Sequence, residues 1–376
     1  MHKVAILTLY YKNYNYGGIL QAYALQNAIE NMGYSSEQIS YRLTSGYKDL
    51  RHLKLSMKFN FIYLYNFIKH HKWVTIYNNQ RKMMENFAFS IPHSKTVNAY
   101  NINKISRYYD CFVCGSDQIW NPIGWQPTLF LDFVSSNKIK ISYAASLARD
   151  NLTKEQLDFI KKHVNDFVAI SVREKKSADI LNRFAPELNV QYMPDPVFLL
   201  GESKWKKFIK RPDNNEPYIF GYFLGNNNVN REKALAYAKE IGAKIIFASH
   251  INLSHYEWEI SHPNEIAPPL GVEDFLSYIA NAELVLTDSF HAAAFSAIYR
   301  TPFYVLPRFN AVDRNSMNSR VVDLVEELQI PNRFTKYLTE KYEWSNEELN
   351  SITRNINRLR RRGLAFLGKF LCIREE

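Results

Sequence analysis

The feature that most limits how this chain folds is an alternation of short apolar runs with helical patterns, and the alternation occurs twice. In the first series, Val4–Tyr10 reads as a strand and Gly18–Met32 as a helix, with Ile19, Tyr23, Leu25 and Ile29 at helical spacing. Cys111–Cys114 and Ile139–Ala145 read as buried strands, Lys154–His163 as a helix, Phe167–Val172 as a strand, Glu174–Phe184 as a helix, and Val190–Met193 as a strand closing at Pro194-Asp195-Pro196. The rhythm restarts with strand Pro217–Leu224, helix Asn230–Ile241, strand Lys244–Ala248, helix Val272–Ala280, strand Glu283–Thr287, helix Phe290–Tyr299 and strand Pro302–Leu306. Strands that alternate with helices imply parallel sheets covered by helices on both faces.

Two such series predict an α/β chain with two Rossmann-like domains facing across a cleft. The expected division is residues 1–200, residues 201–345, and a basic amphipathic C-terminal helix over 346–376. That helix has Ile352, Ile356, Leu359, Leu364, Leu367 and Leu371 near helical spacing, interleaved with Arg354, Arg358, Arg360, Arg361, Arg362 and Lys369. A helical, basic and aromatic insertion over 46–90 interrupts the first series. A length of 376 residues with 46% hydrophobic residues suits two ordinary cores. The net charge of +10 points to an anionic partner.

The three cysteines do not form a disulfide framework, and they fit a reducing compartment. Cys111-Phe-Val-Cys114 has the spacing of a metal or redox pair, but its apolar setting and the lack of a second pair favour a buried strand. No metal site is expected. The N-terminus lacks the pattern of a signal peptide, and no apolar run reaches the roughly 18–20 residues of a membrane span. A cytoplasmic protein is expected.

In open parallel sheets, ligands bind beyond the carboxyl ends of the strands, so the turns there are the candidates for chemistry. Asn15-Tyr16-Gly17-Gly18 precedes a helix whose free amides suit an anion, although paired glycines also serve a plain tight turn. Gly115-Ser116-Asp117-Gln118-Ile119-Trp120 follows a strand. There Asp117 suits proton acceptance or a sugar hydroxyl, and Trp120 a sugar face, against the alternative of a helix cap with a buried indole. Ser171-Val172-Arg173-Glu174 offers a guanidinium for phosphate or carboxylate, against a simple ion pair with an acidic neighbour. Thr287-Asp288-Ser289-Phe290-His291 is the sharpest of the four. It sets a histidine at a helix start, where bound negative charge favours the imidazolium that a general acid needs; the alternative is an ordinary Asp/Ser cap. There is no GxGxxG, P-loop, HExxH or nucleophile elbow.

In their order along the chain, these motifs resemble the polysaccharide pyruvyl transferases. The resemblance is carried by Asn15–Gln21, Gly115-Ser116-Asp117-Gln118 with Trp120, Tyr143-Ala144-Ala145-Ser146, Ser171-Val172-Arg173-Glu174, Asp195-Pro196-Val197 and Thr287-Asp288-Ser289-Phe290-His291-Ala292. It is loosest over 46–100 and beyond about residue 330.

The resemblance implies a fold similar to the GT-B glycosyltransferases. It implies phosphoenolpyruvate as co-substrate, held mainly against the C-terminal domain (201–345) with the acceptor on the side of the N-terminal domain (1–200), no cofactor, and a sugar acceptor in bacterial capsule or exopolysaccharide biosynthesis. His291 then matches the catalytic histidine, Ser289 and Phe290 contact the donor, and Arg173 holds its phosphate or carboxylate. Arg308, Arg314 and Arg320 are candidates for a further basic residue. Asp117 is the candidate base, and Asn15, Gly17, Gly18, Gln118, Trp120 and Asp288 are candidate substrate contacts. A lipid-linked acceptor would bring the basic 46–73 stretch and the Arg-rich tail to an anionic membrane, peripherally at the inner face of the plasma membrane.

Two other readings are weighed. A GT-B glycosyltransferase using a nucleotide-sugar donor shares the expected fold. A nucleic-acid-binding protein shares the charge, but no recognised motif supports it, and it leaves the polar strand-end turns without a purpose. No nucleic-acid partner is expected.

Overall fold

The computed structural model describes residues 3–43, 73–122, 125–210, 216–225, 228–249, 256–309, 318–338 and 343–371. The first half opens with β1 (Lys3–Leu7), α1 (Tyr16–Glu30), β2 (Ser35–Gln38) and a helix α2 over 73–90. It continues through β3 (Cys111–Cys114), β4 (Ile139–Ser142), α3 (Lys154–Val164), β5 (Ser171–Val172), α4 (Lys175–Phe184) and β6 (Gln191–Tyr192). After α5 (Glu202–Lys206), the second half runs β7 (Ile219–Tyr222), α6 (Val229–Glu240), β8 (Ile245–Phe247), α7 (Tyr256–Ser261), α8 (Val272–Asn281), β9 (Leu284–Thr287), α9 (Phe290–Tyr299) and β10 (Phe303–Val305). Helices α10 (Ser319–Glu327) and α11 (Asn346–Leu371) follow.

Each half is built on a four-stranded parallel sheet, in the orders β2-β1-β3-β4 and β10-β9-β7-β8. The pair β5-β6 extends the first sheet through single bridges, Ile141 to Ala169 and Ala145 to Val172. The side-chain period of a strand explains the layering. In β3, Cys111 and Val113 enter the core on one face, while Phe112 and Cys114 enter the core on the other. The two cysteines therefore lie on opposite sides of the sheet. Both are free and buried, and burial pushes the Cys111 thiol up to about 12.

The core facing α1 runs without a break from the first sheet to the second. Tyr16 in α1 stacks on Phe275 in α8, with centroids 4.2 Å apart, and its hydroxyl donates to the Leu270 carbonyl at 2.8 Å. Gln80 in α2 donates both to the Tyr16 hydroxyl at 2.7 Å and to the Ser249 carbonyl at 3.1 Å, so the helix over 73–90 ties the two halves together. The remainder of the 46–90 insertion, up to residue 72, lies outside the described residues.

The expected C-terminal helix forms as α11, but its apolar stripe does not face outward. Ile352, Ile356, Leu359, Leu367 and Leu371 are buried in the shared core, and Phe366 meets Tyr143 at 6.0 Å. These side chains fill the protein interior, so they are not free to enter a bilayer. The face that α11 leaves to solvent is basic, with Arg354, Arg361 and Lys369 exposed. No helix among the described residues is long and apolar enough to cross a membrane.

Candidate active site

Five strand-end turns, four from the first half and one from the second, converge at the junction. The first caps α1. The Asn15 Oδ1 accepts from the amides of Gly17 (2.9 Å) and Gly18 (3.3 Å), so those donors serve the helix cap. What the glycines provide is space. A Cβ on Gly17 would lie 1.9 Å from His291 Nδ1, and one on Gly18 would lie 3.3 Å from Asp117 Oδ2.

The second turn follows β3 and bends sharply at Asp117, which has φ 57° and ψ −164°. That region belongs almost wholly to glycine, and a side chain there costs roughly 1–3 kcal/mol. The carbonyl of Asp117 accepts from Ile119 N (2.8 Å) and Ser146 N (2.9 Å), which holds the bend and turns the carboxylate toward Gly18 and Arg173. Next along the chain, Gln118 accepts from Asn121 Nδ2 at 2.9 Å. Trp120 is fully buried: its ring stacks on Phe130 at 5.0 Å, and its indole N–H donates to the Leu129 carbonyl at 3.2 Å. Phe130 occupies the face that a sugar would need, so the sugar-stacking role expected for Trp120 gives way to core packing.

Arg173, after β5, is 4% exposed. Its Nη1 donates to Asp195 Oδ2 at 2.6 Å, and its guanidinium lies 4.8 Å from the Phe290 ring centroid. Asp117 Oδ1 and Glu174 Oε1 each stand 3.8 Å from guanidinium nitrogens. Nε and Nη2 of Arg173 have no hydrogen-bond acceptor among the described residues. Asp195, after β6, is a member of the site that its own sequence neighbourhood does not single out as a candidate for chemistry. Its Oδ2 also faces His291 Nε2 at 3.3 Å, and its Oδ1 accepts from Val197 N at 3.1 Å. Burial alone would raise this carboxyl. The His291 imidazole, the Arg173 guanidinium and the Val197 amide outweigh burial and hold it at about 2.

The fifth turn, after β9, carries Asp288-Ser289-Phe290-His291. The Asp288 carboxylate accepts from the amides of Leu224 (2.7 Å) and Gly225 (2.9 Å), pinning the end of β7. Arg308 donates to the Asp288 carbonyl at 2.8 Å and lies 3.2 Å from its carboxylate. Asp288 thus braces the turn. Ser289 caps α9 by accepting from Ala292 N at 3.4 Å and retains its own O–H for a ligand. The amides of Phe290 and His291 belong to the first turn, where no intrahelical acceptor exists and the helix end is partially positive. His291 is 7% exposed.

Arg320, from α10, completes the group. Burial lowers its pKa to about 10, with Arg173 and Arg308 adding to the effect and Glu174 and Asp117 opposing it, so three guanidinium groups share this junction. Arg173, Asp195, Phe290 and Arg320 line one narrow cavity between the halves. Arg314 lies outside the described residues. Cationic groups around a histidine at a helix start can bind a compact dianion and deliver a proton to it.

The sequence profile of one family, described as polysaccharide pyruvyl transferase, matches residues 15–308. The chain belongs to the polysaccharide pyruvyl transferase family. The matched span contains every member of the site above except Arg320. No curated protein matches this pyruvyl transferase in sequence. Its fold is that of the GT-B enzymes. A UDP-N-acetylglucosamine 2-epimerase crystal structure aligns over 100% of this chain and 97% of its own, at 11% identity and TM-score 0.56. A structure from Listeria monocytogenes assigned to the same activity aligns over 94% of both chains, at 11% identity and TM-score 0.53. An α-glucosyltransferase bound to UDP and a 13-mer DNA aligns over 98% of both, at 9% identity and TM-score 0.52. At such identities the likeness concerns the fold alone.

Proposed function

We propose that this pyruvyl transferase takes the enolpyruvyl unit of phosphoenolpyruvate and sets it on two hydroxyls of one sugar residue as a cyclic ketal, releasing inorganic phosphate. The observation that carries the reading is the position of His291. It is a buried imidazole at a helix start, backed by Asp195 and Gly17, beside the guanidinium of Arg173.

In this reading His291 donates its proton to C3 of the enol phosphate, and C2 becomes oxocarbenium-like. A sugar oxygen attacks C2, and Asp117 takes the hydroxyl proton. The C2–O bond to phosphate then breaks, and the second sugar hydroxyl closes the ketal as its proton passes to the departing phosphate. Arg173, Arg320, the Ser289 hydroxyl and the amides of Phe290 and His291 balance the donor's phosphate and carboxylate. Asp195 acts through others: it orients Arg173 and His291 together. A lipid-linked acceptor at an anionic leaflet would be met by the exposed basic face of α11.

The test is incubation of the enzyme with phosphoenolpyruvate and a panel of galactosides, mannosides and glucuronosides, reading phosphate release and product mass. The expected result is acceptor-dependent phosphate with a product heavier by one pyruvyl ketal. That activity should fall about 10²–10⁴-fold in His291→Ala, the range for loss of a general acid. Turnover only with nucleotide sugars would overturn the reading.

A further inference from the structure

A second cavity, of about 360 Å³, opens beside the site on the second half, lined by Asn230, Lys233, Arg308, Phe309, Lys336 and Tyr337 together with Val229, Leu306 and Pro307. Its size lies within the range of small-ligand pockets. Its charge sets it apart. The lining holds three cations and no carboxylate, and neither Lys233 nor Lys336 has an acidic partner among the described residues. The larger cavity at the opposite end of the β7–β8 sheet, by contrast, has its cations matched. There Lys210 pairs with Glu273 (3.2 Å) and Lys244 with Glu216 (2.8 Å). Arg308 is paired with the Asp288 carboxylate at 3.2 Å, which leaves Lys233 and Lys336 as the lining cations without a counter-charge among the described residues, and an anion joining those two lysines is favoured.

The cavity connects to the catalytic turn through one residue. Arg308 lines it, and the same guanidinium grips Asp288, three positions before His291. Asn230 ties the other wall by donating to the Pro307 carbonyl at 3.1 Å. Tyr337 is 76% exposed and offers an aromatic face at the rim. In the reading above phosphoenolpyruvate is held by Arg173 and Arg320, so Lys233 and Lys336, beyond the Asp288–Arg308 pair, are left for a group of the acceptor.

We infer that this cavity binds the phosphate or diphosphate group of the sugar acceptor, with Lys233, Lys336 and Arg308 as its cationic walls. The sugar ring to be modified then lies between that group and His291. The inference rests on the acceptor reading above and names the acceptor's class as a phosphorylated sugar.

The test has two independent readouts, both on Lys233→Ala/Lys336→Ala, two exposed side chains whose loss leaves the core intact. The first is calorimetric binding of inorganic pyrophosphate to the full chain, which needs no turnover. Binding should weaken at least tenfold in the double variant, since each charge-assisted contact carries a substantial share of affinity. Equal binding by both proteins overturns the inference.

The second is steady-state kinetics with paired acceptors: a neutral alkyl glycoside, the same sugar as its 1-phosphate, and the same sugar on a polyprenyl diphosphate in micelles. The expected result is a raised KM for both phosphorylated acceptors, with KM for phosphoenolpyruvate and for the neutral glycoside unchanged. Preference for the polyprenyl form over the 1-phosphate assigns the group to a lipid carrier, and parity assigns it to a soluble phosphate. A raised KM for phosphoenolpyruvate would place the donor there and overturn the inference. Absence of pyruvyl transfer by the unaltered enzyme on every acceptor would instead sink the functional reading, leaving the pyrophosphate measurement to decide the cavity.

Discussion

Gly17 leaves room for His291: a Cβ on Gly17 would stand 1.9 Å from the imidazole Nδ1, well inside van der Waals contact. The glycine lies in the first half and the histidine in the second, so the absence of one side chain lets the two domains close around the proposed acid. Gly17→Ala should displace the ring from Asp195 and lower kcat/KM for pyruvyl transfer at least about 100-fold, because misplacing a reacting group by about 1 Å has that effect. Backbone φ at Gly17 is not in the left-handed region, so the fold should survive with a small change in Tm. A variant that keeps full activity would show that His291 does not need this position.

Asp195 joins Arg173 and His291, and its removal should be felt in stability as well as in rate. Its folded pKa of about 2 lies below the ordinary carboxyl value of 3.8. The stabilisation it provides is therefore fully present above about pH 4 and is lost as pH falls toward 2, amounting to roughly 2 kcal/mol. Asp195→Asn also removes the carboxylate hydrogen-bonded to the buried Arg173 guanidinium, leaving Asp117 and Glu174 at 3.8 Å as its remaining counter-charges among the described residues. The Tm difference between the native chain and Asp195→Asn should be large at pH 7 and shrink near pH 3. A difference independent of pH would refute the ionic account.

Trp120 provides a separate check on which aromatic residues are structural. Its ring is sandwiched against Phe130 and its N–H is satisfied internally. Trp120→Ala should destabilise by about 3–5 kcal/mol. Trp120→Phe, which keeps most of the volume, should leave acceptor KM unchanged. A several-fold rise in acceptor KM for the phenylalanine variant would return Trp120 to the binding site.

How much of this could be read in the sequence depended on whether the signal was local. Apolar runs bounded by turns marked β3 to the residue and β9 to within one residue at its start, and the alanine-rich α9 fell within its expected limits. β2 escaped because Ser35-Ser36-Glu37-Gln38 has no apolar pattern. Its inward positions, Ser36 and Gln38, are polar, and the Gln38 amide donates to the Ala22 carbonyl at 2.9 Å. His291 stood out because its own turn has the chemistry of an anion site. Asp195 did not, since its meaning lies in Arg173, 22 residues away, and in a histidine from the other domain. Trp120 was ambiguous for the same reason: burial is a property of its neighbours.

The seam along α10 supplies the last prediction. This helix brings Arg320 to the site, and it is fastened to the first half by Ser319 to Asp150, by Asp323 accepting from Lys175 N at 3.2 Å, and by Glu327 facing Lys175 Nζ at 3.1 Å. Burial raises the Asp323 carboxyl to about 6. The Lys175 amide and ammonium oppose the shift, and Glu174 and Glu326 add to it. Folding therefore favours the protonated form, and the stability this group contributes below pH 4 diminishes as pH rises through 6. Asp323→Asn keeps an acceptor for the Lys175 amide and removes the charge. Its Tm relative to the native chain should rise between pH 5 and pH 8, and a pH-dependent component of kcat/KM near 6 should vanish if seating Arg320 depends on this contact. A constant Tm offset across that range would show that Asp323 does not titrate within the seam.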